Sequence, residues 1–204
     1  MPVRMQAALG EENAMKLLRA MREPLKYVQG KDALLKFKDE MGYMGKRWLF
    51  VCSNSGYKAC HDKIEQSFGD DGSYRRYEIF GGTSSKGEIT KMKKIVEEDK
   101  ADAVCACGGG SAVDTAKATA YYTDKKVVII PTVAATDAPC TGLSVIYNDD
   151  GSFDKYLFYP QNPDAVMVDS QVIADAPVRF LVAGMGDALG TFFEGRASIR
   201  TESP

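Results

Sequence analysis

Three stretches of the chain combine residue types and spacing that can do chemistry. The first is Gly108-Gly109-Gly110-Ser111-Ala112-Val113-Asp114-Thr115-Ala116-Lys117, which joins an apolar strand pattern, Ala103 to Cys107, to a helical pattern, Ser111 to Tyr122. Glycines at such a junction let a ligand approach the backbone, and the first amides of the helix, with its dipole, favour an anion such as a pyrophosphate. The spacing is neither GxGxxG, since Val113 stands at the third glycine position, nor GxxxxGK[ST]. A tight turn that needs glycine dihedrals is the competing reading.

The second stretch, Pro131 to Gly142, leaves the C-terminal end of an apolar strand, the edge of an open α/β sheet where ligands bind. Its Asp137 could hold substrate hydroxyls, or could simply close an Asx turn. The third, Ala183-Gly184-Met185-Gly186-Asp187-Ala188-Leu189, sets an acid among small and apolar residues on a helical pattern. Buried there, Asp187 would need a cation or donors; a metal is one solution, while a helix cap or an ion pair with Arg179 or Arg196 is the plainer one. His61, the only histidine, reads as a solvated residue on a polar helix face. The five cysteines form no CxxC pair and have no histidine at metal spacing, and Cys105 and Cys107, at strand period, read as packed thiols.

These residues must be positioned by a fold, and the hydrophobic periodicity outlines one. Strand patterns at Arg47 to Cys52, Tyr74 to Phe80, Ala103 to Cys107, Val127 to Ile130 and Ala165 to Val168 alternate with helical patterns at Asp32 to Met41, Tyr57 to Phe68, Lys86 to Asp99 and Ser111 to Tyr122. Such alternation implies an α/β fold with a doubly wound, mostly parallel, Rossmann-like sheet. Ser53 to Gly56 reads as a turn, Ser85 and Glu88 have capping-box spacing, and Leu143 to Tyr147 with Phe153 to Tyr159 reads as an inserted β-hairpin with a turn longer than two residues. After Pro177 a helical stretch from about Arg179 to Ile199 begins a new element. The expected organisation is a leader over 1–23, helical from Glu11 to Met21, then a dinucleotide-binding domain over 24–176 and the start of a helical domain over 177–204.

Composition narrows the partners. Among 204 residues, 26 Lys+Arg against 28 Asp+Glu leave a net charge of -2 with the signs interspersed, so no basic stripe points to nucleic acid or an anionic membrane. No run approaches the roughly 18 apolar residues of a membrane span. A cytoplasmic protein with a small-molecule partner is the expectation.

Taken in order, GGGSAVDTAKA, IPTVAATDAPCTGLSVIY and APVRFLVAGMGDAL closely resemble the glycerol dehydrogenases of the iron-containing (group III) alcohol dehydrogenase superfamily, from about Pro24 to Arg196. The resemblance implies an N-terminal dinucleotide-binding domain facing a helical domain across a cleft. It also implies NAD-linked oxidation of glycerol, or a related small polyol, to dihydroxyacetone. By motif, Gly109, Gly110 and Ser111 would meet the cofactor pyrophosphate, and Thr132, Ala135, Thr141, Leu143 and Tyr147 the rest of the cofactor. Asp137 would stand beside the polyol, and Asp187 would ligate the divalent metal, usually zinc. Homo-oligomers are common among such proteins. Two positions depart from the pattern: Ser53 stands where an Asp usually binds the adenosine ribose, which loosens the preference for NAD over NADP, and no histidine follows His61 to complete the metal site. The chain therefore reads as a truncated cofactor half that is inactive alone. Its rivals are a related dehydrogenase of a small diol or hydroxyketone, and a non-catalytic nucleotide-binding module.

Overall fold

A computed structural model describes residues 22–201; the helix expected over Glu11 to Met21 lies outside them. Six strands form one parallel sheet: β1 (Lys26–Gly30), β2 (Arg47–Cys52), β3 (Tyr74–Ile79), β4 (Ala103–Gly108), β5 (Lys126–Pro131) and β8 (Ala165–Asp169), in the order β1-β8-β5-β4-β2-β3. Between β5 and β8, β6 (Leu143–Tyr147) and β7 (Phe153–Phe158) pair antiparallel as a separate two-stranded sheet with a bulge near Tyr147. The α/β, doubly wound expectation and the inserted hairpin both hold.

Helices cover both faces of the sheet, which is why its central strands are continuous apolar runs. Alternation along β2 divides the core: Trp48, Phe50 and Cys52 face Phe37, Phe68 and Ile64, while Leu49 and Val51 face Met92, Ile95 and Val113. On the first side lie α1 (Phe37–Met41) and α2 (Asn54–Phe68); on the second, α3 (Lys86–Asp99) and α4 (Gly110–Thr123). Ala112, Ala116, Ala118 and Ala120 let α4 sit close between the sheet and the hairpin, and nine of its residues are buried, Asp114 and Lys117 among them.

The structure corrects several boundaries. The single helix expected from Asp32 to Met41 is a 3-10 turn, Ala33–Lys36, followed by α1. Asp32 has φ 56°, and its amide and that of Leu34 donate to the Asp169 carboxylate at 3.1 and 3.4 Å, which bends this segment onto the end of β8. Ser53 to Gly56 is the start of α2 rather than a turn: Ser53 Oγ accepts the Gly56 amide at 3.0 Å as an N-cap. Half of the capping box forms, since Ser85 Oγ accepts the Glu88 amide at 3.3 Å while the Ser85 amide goes to the Thr83 carbonyl. A short helix after β8, α5 (Ser170–Asp175), is too brief to show a period in sequence; Asp169 caps it. The final helix, α6 (Val178–Thr201), buries none of its residues and exposes Leu181, Met185, Leu189, Phe192 and Phe193. Among the described residues, no helix is long and apolar enough to cross a membrane.

Candidate functional site

Strand order locates the ligand edge. From β2 the chain moves outward to β3, then returns past β2 to β4, so the connections diverge at the C-terminal ends of β2 and β4, the position where open α/β sheets bind ligands. Close backbone packing builds this point. A Cβ on Gly56 would lie 2.0 Å from the Cys107 carbonyl oxygen, so the first turn of α2 can rest on the end of β4 only through glycine. A Cβ on Gly108 would lie 2.7 Å from the Ala112 Cβ and 3.2 Å from Ser53 Oγ.

None of Gly108, Gly109 and Gly110 has positive φ, which corrects the reading of this turn as one needing glycine dihedrals; at Gly108 the demand is for space. Gly109 is the N-cap of α4 and offers no side chain, so the amides of Gly110, Ser111 and Ala112 have no acceptor within the helix. Uncapped amides at a switch point, with the positive end of the dipole behind them, can seat an anion.

The loop after β5 lies over that seat: Val133 and Thr136 stand 3.4 and 3.6 Å from where Cβ atoms on Gly109 and Gly110 would be. Thr132 is buried, with its amide on the Gly108 carbonyl at 3.1 Å, and Ala135 is half-buried. Asp137 is exposed and precedes the 3-10 turn Ala138–Cys140 without capping it, so the Asx-turn alternative fails. Beside it opens a mostly apolar cleft of about 440 Å³, lined by Tyr27, Val133, Asp137, Cys140, Val168 and Ile173 among others. Thr141, Leu143 and Tyr147 follow along the loop and hairpin, each half-buried.

Two residues that sequence reading left without a role hold this loop. Lys117, its side chain 2% exposed, donates from Nζ to the carbonyls of Ala138 at 2.9 Å, Thr141 at 3.3 Å and Leu143. Asp114 Oδ1 lies 3.2 Å from the same ammonium, and Oδ2 accepts the Val145 amide at 3.2 Å. Burial works against both charges, raising the Asp114 carboxyl above its ordinary range and lowering the Lys117 ammonium, while each opposes the shift in the other. The sequence signal was available: an acid and a lysine three apart on a helix otherwise lined with alanine.

Asp187 is exposed on α6, which corrects the premise that it is buried. It is not the partner of the arginines considered for it: the guanidinium groups of Arg179 and Arg196 lie over the rings of Phe180 and Phe192. A Cβ on Gly184 would meet the Ala134 carbonyl oxygen at 2.1 Å, so α6 is seated on the Asp137 loop, and Asp187 follows one turn later on the same helix face. Among the described residues no group of three or more His, Cys, Asp or Glu could hold a metal ion. A lone carboxylate falls short of the roughly three protein ligands of a catalytic zinc, so the donors present do not make a metal site.

His61 is not a solvated bystander. Its ring clusters with those of Tyr57 and Tyr77, at 4.6 and 4.7 Å, with Nδ1 2.8 Å from Asp62 Oδ1. Cys52, Cys60, Cys105 and Cys107 are buried free thiols in one core layer, where burial raises Cys105, and mutual hydrogen bonding and burial raise Cys107. They are packed in the core.

Comparison with known proteins accords with this geometry. The chain is 43% identical over 183 residues to a glycerol dehydrogenase of Escherichia coli, covering 90% of this chain and 50% of that protein. It is 45% identical over 183 residues to one of Thermotoga maritima, covering 89% and 49%. The crystal structure of a probable glycerol dehydrogenase from Sinorhizobium meliloti superposes with a TM-score of 0.82 at 39% identity, over 91% of this chain and 50% of the other. The chain thus spans about half the length of the curated relatives it matches. Residues 24–170, which carry the sheet, the glycine seat and the Asp137 loop, match the iron-containing alcohol dehydrogenase profile, and the chain belongs to that family.

Proposed function

We propose that this chain is the cofactor-binding half of a dehydrogenase that oxidises glycerol, or a similarly small polyol, at its secondary hydroxyl to the ketone, with NAD as acceptor. The observation that carries the reading is the convergence at one sheet edge of an uncapped helix N-terminus with a loop carrying an uncommitted carboxylate, Asp137. Relatives above 40% identity are glycerol dehydrogenases.

In this reading residues 24–176 are the dinucleotide domain. The amides of Gly110 and Ser111 seat the pyrophosphate, Ser53 faces the adenosine ribose, and Thr132, Ala135, Thr141, Leu143 and Tyr147 flank the remainder. Asp137 accepts a polyol hydroxyl and orients the carbinol carbon. A nicotinamide held there would supply the hydride acceptor for that carbon, and the hydroxyl proton would leave to solvent. Ser53 brings no negative charge against a 2′-phosphate, so NADP is accepted as well.

Residues 177–204 begin the helical domain, and the apolar side chains exposed on α6 are the surface against which the rest packs. Asp187 contributes one ligand toward a zinc or similar divalent ion whose other ligands come from outside this chain, and the chain alone does not turn over. The complete protein is a cytoplasmic homo-oligomer. The test compares the chain alone with the chain joined to the C-terminal half of a relative, each with and without Asp187→Ala, by zinc stoichiometry and NAD-linked glycerol oxidation. Turnover and one tight zinc, both dependent on Asp187, are expected for the joined form only; Asp187-dependent turnover by the chain alone would falsify the half-enzyme reading.

A further inference from the structure

The hairpin that carries Leu143 and Tyr147 is not a strand of the main sheet. Apart from the bridge of Tyr147 to Ser85, where the Tyr147 amide donates to the Ser84 carbonyl at 3.0 Å, its sheet hydrogen bonds are internal. Its turn is tied to the start of α3 through Asp149, which accepts Ser85 Oγ at 2.7 Å and the Gly87 amide at 2.8 Å, while its registration against α4 comes from Lys117 and Asp114. The ammonium spans the carbonyls of Ala138, Thr141 and Leu143, one Asp114 carboxylate oxygen takes the Val145 amide, and the Asp114 carbonyl accepts Ser144 Oγ at 3.3 Å. Residues 138–145 are thus tied at five points to one turn of a helix whose N-terminus is the anion seat.

Packing alone does not call for this pair. A buried ion pair loses solvation on both partners, and an apolar pair of the same volume commonly serves stability as well or better; the best-attested use of such a pair is to fix one register among several. The α4 face that meets the hairpin otherwise offers Ala118 against Ile146 and Leu157, and Tyr121 against Tyr159 just past β7, non-directional contacts that set register less sharply than aimed hydrogen bonds.

We propose that Lys117 and Asp114 are positioning residues that lock the Asp137 loop and the hairpin in register with the glycine turn, so that one helix aligns the two halves of the dinucleotide site. The inference rests on the dinucleotide reading above. Lys117→Met, a substitution near in volume, removes the ammonium and frees the loop while leaving the helix N-terminus unchanged.

The experiment uses the whole chain and two probes: ADP, which needs only the adenosine and pyrophosphate half, and NADH, which needs both. In Lys117→Met, ADP affinity should stay within about twofold of wild type. NADH affinity should fall about tenfold or more, the scale of one lost buried hydrogen bond. Independently of any ligand, amides of 138–147 should exchange with deuterium faster while those of β2 and β4 do not change. Because Lys117→Met strands the Asp114 carboxylate, Asp114→Asn combined with Lys117→Met is the second variant and should show the same split. Equal losses of ADP and NADH, no loss of either, unchanged exchange, or failure of both variants to fold would each overturn the inference while the dinucleotide reading stands. Wild-type chain that binds neither probe would overturn that reading, and the inference with it.

Discussion

Two glycines two residues apart on α6 should respond oppositely to one substitution. At Gly186 a Cβ would have nothing within 4 Å, so Gly186→Ala meets only helix propensity and should stabilise by about 0.5–1 kcal/mol. At Gly184 the same Cβ would lie 2.1 Å from the Ala134 carbonyl oxygen, 2.9 Å from its carbon and 3.3 Å from the Ala135 Cα. All three are backbone atoms, so no rotamer relieves the clash, and helix and loop must separate by roughly 1 Å to restore ordinary contact. Overpacking of this kind costs about 1–3 kcal/mol, which outweighs the propensity gain. The two variants should therefore differ by about 1–3 kcal/mol, with Gly184→Ala the less stable. Urea titration followed by helical circular dichroism, with hydrogen exchange of α6 to catch local undocking, measures the difference. If Gly184→Ala proves as stable as Gly186→Ala and exchanges no faster, α6 does not rest on the Asp137 loop, and the placement of Asp187 near that loop fails with it.

Other expectations follow from the same geometry. Asp169, whose side chain is wholly buried, is ion-paired to Lys63 at 3.0 Å and accepts amides from Asp32, Leu34, Gln171 and Val172; Asp169→Ala should cost about 3 kcal/mol in urea titration. Burial pushes the Asp169 carboxyl up, but Lys63 and those amides outweigh it and hold the pKa below the ordinary value. Its contribution is therefore full above the unfolded pKa of about 4 and fades as pH falls through the folded value. Asp169→Asn should flatten that acid limb, and an unchanged limb would show that Asp169 does not set it. Gly110→Val meets no φ strain, and its Cβ would be 3.6 Å from Thr136 Cγ2, so the fold should survive. Its added methyl groups beside the helix N-terminus should weaken dinucleotide binding by about tenfold or more in calorimetry; undiminished affinity would move the pyrophosphate elsewhere. Ser53→Asp keeps a capping oxygen, so stability should hold, and the NAD-to-NADP affinity ratio should rise about tenfold through charge repulsion at the 2′-phosphate. A ratio that does not move would mean that residue 53 does not face the ribose.

Local sequence determined the elements and much of the ligand edge. Short strand-like runs and period-3.6 helices place β2 to β5 and α2 to α4 because both patterns are local, and a glycine run between strand and helix leaves amides uncapped wherever it occurs. The family resemblance is legible in the same three stretches, since it rests on residue identity. Only tertiary structure could decide what non-neighbours do to one another. Gly56 looks like a turn glycine and Gly184 like an ordinary helix glycine until Cys107 and Ala134, 51 and 50 residues away in sequence, bring carbonyl oxygens against them. His61 looks like a surface residue until β3 supplies Tyr77, and Asp187 looks buried until α6 proves exposed. Lys117 in an alanine-rich helix gives no hint of its acceptors, because they are carbonyls whose positions depend on where the hairpin docks, and backbone carbonyls carry no residue type to read.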